Sequence, residues 1–213
     1  MRPTRKGFDL SGLSPEHRTV IEPAIVACTF PTTRILRNTG KPVPVAVSDL
    51  SRFNAAMEAH GHGHVHVDGE HGHLLGEPDA ARKAPLGLYW LPTADHPAGR
   101  IEVGAHAMSD PDLAREVFLA EAAHAVDYGA MTDAQREAIR DRFDYTGQGE
   151  PPVGWFEEIG EQDYWDWRGE RWMGLFMAAF APSLPRPLET RQPWTWSYDT
   201  SDCRRARSIM RRA

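Results

Sequence analysis

Glu121 and His124 sit three residues apart in the run Asp112–Tyr128, DLAREVFLAEAAHAVDY. A carboxylate can take a proton from a bound water, and an imidazole can hold a metal ion or relay a proton. Three-residue spacing puts both groups on one side of a helix. Leu113, Val117, Ala120 and Tyr128 share that side, while Phe118, Ala122, Ala125 and Val126 make the opposite side apolar. A helix apolar nearly all round is a buried one, so its two polar groups each need a partner. The plain alternative is a salt-bridged glutamate and a hydrogen-bonded core histidine.

Other residues invite chemistry. Six of the ten histidines fall in HGHGHVHVDGEHGH, residues 60–73. Asp68-Gly69 is a two-residue hairpin signal. It pairs Val67 with Glu70, His66 with His71 and His64 with His73. That places His64, His66, His71 and His73 on one face of a ribbon. Such a face can bind a metal, form an interface or titrate near neutral pH, or it can be a polar surface loop. Glu170 lies on a later helical pattern. The last ten residues, RRARSIMRRA, carry Arg204, Arg205, Arg207, Arg211 and Arg212 and no acid. The first six carry three basic residues and no acid. With a net charge of −6, the chain reads as an acidic body with basic ends, fitted to an acidic partner or nucleic acid, or simply to solvent.

Composition bounds these readings. The chain has 213 residues, 41% hydrophobic and 25% charged, which suits one folded domain. No apolar run reaches membrane-spanning length, and MRPTRKGFDL has no apolar signal core. The expectation is therefore no membrane partner and a cytoplasmic location, with no secretion signal. Cys28 and Cys203 make neither a disulfide framework nor a zinc-ribbon spacing, so a reducing compartment is expected.

The elements that would position these groups follow from local signals. Residues 1–18 read as an arm with turns at Ser11-Gly12 and Ser14-Pro15. Val20–Phe30 reads as a strand or a short helix. Val43–Val47 reads as a strand, kept to an edge or strand end by Pro42 and Pro44. Ser48–His60 reads as a helix. Leu86–Leu91 and Arg100–Ala105 read as strands. Ser109-Asp110-Pro111-Asp112 carries a capping residue, a proline suited to the first turn and an acid in that turn, and opens the central helix. Thr132 and Gln135 form a capping box for a helix through about Phe143. Asp166–Phe180 reads as a helix stopped by Pro182. Trp194, Trp196 and Tyr198 fit an extended segment that packs on the body.

This order resembles the zincin metallopeptidases, in the branch where a glutamate on a later helix is the third zinc ligand. Their H-E-x-x-H motif holds zinc with two histidines and uses the glutamate as base. Here it reads Ala120-Glu121-Ala122-Ala123-His124, so the first histidine is alanine. The third-ligand segment reads Gly169-Glu170-Arg171-Trp172-Met173-Gly174-Leu175-Phe176. The run EAAHAVDYGAMTDAQREAI, with Trp155-Phe156 and Tyr164-Trp165, also resembles small metallopeptidase-like proteins of actinobacteria and their tailed phages. The resemblance covers roughly residues 86–181. It implies an α+β zincin-like fold, a small mixed sheet on two central helices, and says nothing specific about the ends. Local composition sets the domain at 19–190, between an N-terminal arm at 1–18 and an aromatic, basic tail at 191–213, both arms extended. The resemblance implies zinc on His124 and Glu170, with Glu121 as base.

Ala120 has no donor atom, so zinc would be weak or absent. Three explanations stand. The chain has dropped catalysis and acts as a binding or structural part, in a phage particle for instance, with a protein or other virion proteins as partner. Or His106 or the 60–73 cluster completes the site of an active peptidase with a peptide substrate. Or Ala120 is a substitution that disables an enzyme. A separate reading is a histidine-rich metal-binding or nucleic-acid-binding protein. Asp127 would orient His124, cap the helix or face solvent. Tyr164 would donate to an oxyanion or pack as an aromatic.

Overall fold

The computed structural model describes residues 7–49, 65–67, 70–72, 86–143, 168–185 and 198–211. The chain is a mixed α+β fold around a four-stranded sheet. Its elements are β1 (Phe8–Asp9), α1 (Pro15–Ala27), α2 (Thr33–Thr39), β2 (Val43–Ser48), β3 (Val65–Val67), β4 (Glu70–Gly72), β5 (Gly87–Trp90), β6 (Arg100–Gly104), α3 (Pro111–Ala130), α4 (Asp133–Phe143), α5 (Arg168–Phe180) and α6 (Thr200–Arg211). The sheet order is β1-β2-β6-β5. β1, β2 and β6 run parallel, and β5 returns antiparallel to β6.

The small mixed sheet agrees with expectation, and β2, β5 and β6 fall where they were read. β2 lies between two strands, however, and not at an edge. Pro44 is tolerated because it pairs only with the two-residue β1, and the ladder to β6 begins one residue later, at Val45. Its missing N–H thus falls at the strand's start. Ser48 ends β2, with its hydroxyl donating to Glu102 at 2.9 Å. The helix expected over Ser48–His60 lies outside the described residues from position 50 onward.

Val20–Ala27 proves helical, with Cys28–Phe30 past the helix end, and α1 starts earlier than expected. Ser14-Pro15 is a helix start: the Ser14 hydroxyl accepts from the His17 N–H at 3.2 Å, and proline suits the first turn. The first-turn residues expected in an arm thus belong to α1. Ile21, Ala24 and Ile25 on α1 are buried, and α1 packs on α3. The capping box forms as read. Thr132 N–H donates to Gln135 Oε1 at 3.0 Å, and Gln135 N–H to Thr132 Oγ1 at 3.2 Å.

The C-terminal end differs more. It was expected as an extended arm, and residues 200–211 instead form α6, which packs on α5. Cys203, Ala206 and Met210 make its buried stripe, at helical spacing. Arg207 Nε donates to the Ala179 carbonyl near the end of α5, and Thr29 donates to the Phe180 carbonyl through both N–H and hydroxyl. These contacts satisfy carbonyls a helix end leaves open. Trp194 and Trp196 lie outside the described residues, while Tyr198 meets the Phe143 ring edge-on at 6.4 Å.

The hairpin register is the one the Asp68-Gly69 signal predicts, with His66 opposite His71 and Val67 opposite Glu70. His64 and His73 lie outside the described residues. β4 lies against β5. Among the described residues no helix is long and apolar enough to cross a membrane.

Candidate functional site

α3 runs through the centre of the molecule. Its start is fixed by Asp110, whose carboxylate accepts from the N–H groups of Asp112 and Leu113 at 3.1 and 3.2 Å. Arg115 pairs with Asp112 at 3.0 Å and donates to the Val20 carbonyl, joining α3 to α1. α1, α2 and α5 pack on α3, and β5 and β6 cover it from the sheet side. Ala120, Glu121, Ala123, His124 and Asp127 are all 0% exposed.

The sheet backbone comes close to α3 at Gly87. A Cβ on Gly87 would lie 2.5 Å from Val117 Cγ1 and 3.1 Å from Glu121 Oε1. Only glycine lets the strand backbone come this close to the carboxylate. Two residues along β5, Tyr89 meets Tyr128 with ring centroids 5.7 Å apart, and its hydroxyl donates to the Ala98 carbonyl at 3.1 Å. Burial pushes both phenols well above their ordinary range, and the negative charge of Asp127 pushes them further.

Asp127 faces neither solvent nor an open helix end. Arg136 from α4 binds its carboxylate at 2.6 Å and also donates to its backbone carbonyl. Arg136 reaches on to Asp133 at 2.7 Å. This buried arginine therefore neutralises Asp127 and closes a carbonyl in the last turn of α3. The surface reading of Asp127 is overturned. The side-chain partner that explains it was not legible, because nothing in the sequence ties position 127 to position 136.

α5 is set against α3 by a directed bond. The buried indole of Trp172 donates through Nε1 to the Ala123 carbonyl at 2.9 Å. Glu170 lies in the first turn of α5, two residues before Trp172, and its side chain is outside the described residues. The link brings the helix carrying Glu170 to the part of α3 that carries His124. Tyr164 is also outside the described residues.

His106 is exposed, and its ring packs over Gly104, where a Cβ would meet His106 Cε1 at 2.7 Å. Among the described residues no group of three or more His, Cys, Asp or Glu side chains is placed to hold a metal ion. His124 is one donor on α3. Ala120, one turn earlier, offers a buried methyl group. The described side chains thus do not make up a three-ligand zinc site.

The chain matches no family model, no curated protein and no solved structure. Cys28 and Cys203 are not joined in a disulfide, and burial pushes the Cys28 thiol up to about 11.

Proposed function

We propose that the chain is a metallopeptidase-like protein that keeps a helix-centred zincin-type scaffold and acts by binding a protein partner, not by catalysis. Ala120 carries this reading. It is fully buried at the position where the motif needs an imidazole. Catalytic zinc takes three protein ligands and an open position, and the family positions supply two, His124 and Glu170. Structural zinc sites are worth about 10–16 kcal/mol in all, so loss of one ligand removes several kcal/mol of affinity. Without a metal-bound water, Glu121 has no activated proton to take.

The packing supports the same reading. The Asp110 cap, the Asp127–Arg136 pair and the Trp172–Ala123 bond each fix α3 through contacts that need no metal. A fold held this way persists when its chemistry is lost. The resemblance to tailed-phage proteins makes other virion proteins the first partners to test, as in a structural part of a particle.

Elemental analysis of the purified chain tests the proposal, beside His124→Ala and Ala120→His. The expected result is no stoichiometric zinc in the native chain and uptake of about one zinc by Ala120→His. Circular dichroism checks that the larger side chain is accommodated. Stoichiometric zinc in the native chain that is lost in His124→Ala would overturn the proposal. It would assign the α3 site to an active peptidase completed by another ligand, with Glu121 as base.

A further inference from the structure

The outer side of α6 is basic. Burial of Cys203, Ala206 and Met210 leaves Ser201, Arg204, Arg205, Ser208 and Arg211 exposed. Some arginines near α6 have structural work. Arg34 from α2 donates to the Met210 carbonyl, and Arg207 donates to Ala179. Arg211 lies in the last turn, where the helix dipole favours a cation.

Arg204 and Arg205 have no such work. They lie in the middle of α6, past its first turn and before its last, so the helix dipole does not account for them. Among the described residues no ion pair joins Arg37, Arg204, Arg205 or Arg211 to an acid. Asp202, one turn before Arg205, accepts the Asp199 N–H at 3.2 Å instead. On α2, Arg37 is exposed, and Arg34 is held below its ordinary value by burial and then by the Arg37 charge. Like charges therefore gather where α2 meets the end of α6.

We propose that the outer side of α6, extended by Arg37, is a docking face for the phosphate backbone of a nucleic acid. Arg204 and Arg211 are about 10 Å apart along the helix, enough to span about three phosphates of one strand. Ser201 and Ser208 add hydroxyl donors to the face. A protein interface needs an apolar core, and this face has none: among the described residues the exposed large hydrophobic side chain is Val26, on α1. The net charge of −6 repels the remainder of a polyanion and confines contact to this face. Binding is therefore sequence-independent and strongly salt-sensitive. The proposal is independent of the reading of the α3 site.

The test is fluorescence anisotropy of a short labelled DNA duplex titrated with the full chain, from about 50 to about 200 mM salt. The native chain should bind at the lower salt and release the duplex at the higher. The triple variant Arg204→Ala/Arg205→Ala/Arg211→Ala alters exposed side chains only, and should bind about tenfold more weakly or worse. Its slope of log affinity against log salt should be shallower by about 2.7, for three lost phosphate contacts. The corresponding triple lysine variant should keep the slope. No binding by the native chain at low salt, or a native slope in the alanine variant, overturns the proposal. Arginine-dependent binding of polyglutamate without binding of DNA also overturns it, in favour of an acidic protein partner.

Discussion

Gly87 lies directly over Glu121: a Cβ on the strand residue would come within 3.1 Å of the helix carboxylate and 2.5 Å of Val117 Cγ1. The methyl of Val117 is the harder obstacle, because a β-branched side chain has few rotamers to retreat into. Gly87→Ala should therefore destabilise the fold by about 1–3 kcal/mol, the usual cost of overpacking. Urea unfolding measures it. Val117→Ala in the same chain should recover much of the loss. An unaltered midpoint in Gly87→Ala would mean that β5 and α3 stand further apart.

Arg136→Ala should be among the most damaging single changes. It leaves Asp127 charged, fully buried and without its ion pair, at a cost of about 3–5 kcal/mol. Asp127→Asn in the Arg136→Ala background should cost less than Arg136→Ala alone, since it removes the buried charge. Thermal unfolding of the native chain and the two variants distinguishes a charge effect from lost packing.

Alkali should unfold the protein cooperatively. Tyr89 and Tyr128 are raised above their unfolded value of about 10, first by burial and then by Asp127. An acid with a raised folded pKa stabilises below its unfolded pKa, and that stability is lost as pH climbs toward the folded value. Cys28, raised to about 11 by burial, begins the loss from its unfolded value. Stability should fall above about pH 9, each buried phenol adding up to about 1.4 kcal/mol per pH unit above pH 10. Tyr128→Phe should make the fall shallower. Equal alkaline limbs for native and Tyr128→Phe chains would remove Tyr128 as a contributor.

Trp172→Phe keeps an aromatic ring and removes the donor to Ala123. The expected loss is about 1–3 kcal/mol, from a buried hydrogen bond and reduced volume. Tryptophan fluorescence should fall with little spectral shift, because a fully buried indole is removed from a chain with seven tryptophans.

Local grammar carried much of the fold. Asp110-Pro111 and Thr132…Gln135 mark helix starts because their side chains bond the first N–H groups, and both bonds are present. Ser14-Pro15 has the same grammar, but the polar Glu16-His17-Arg18-Thr19 that follows shows no apolar periodicity to mark it as a helix start rather than a turn. α6 escaped because five arginines in the last ten residues hide a stripe of only Cys203, Ala206 and Met210. The central helix and its Glu121 and His124 were legible from periodicity. Gly87 against Glu121, Arg136 on Asp127 and the Trp172 indole were not, since each joins residues that only the packed fold brings together.

The bonds that close α6 also bear on how fast the chain can fold. Arg34 meets Met210 across 176 residues of sequence, Gln135 meets it across 75, and Arg207 meets Ala179 across 28. Each is a loop that must close before its bond contributes, and closure entropy rises with loop length. Long-range closure of this kind slows folding. The carbonyl ends of α5 and α6 therefore find these partners late, once α2, α4 and α6 have converged. Stopped-flow refolding should show a slow main phase, and Arg34→Ala should chiefly speed unfolding while leaving the refolding rate nearly as it was.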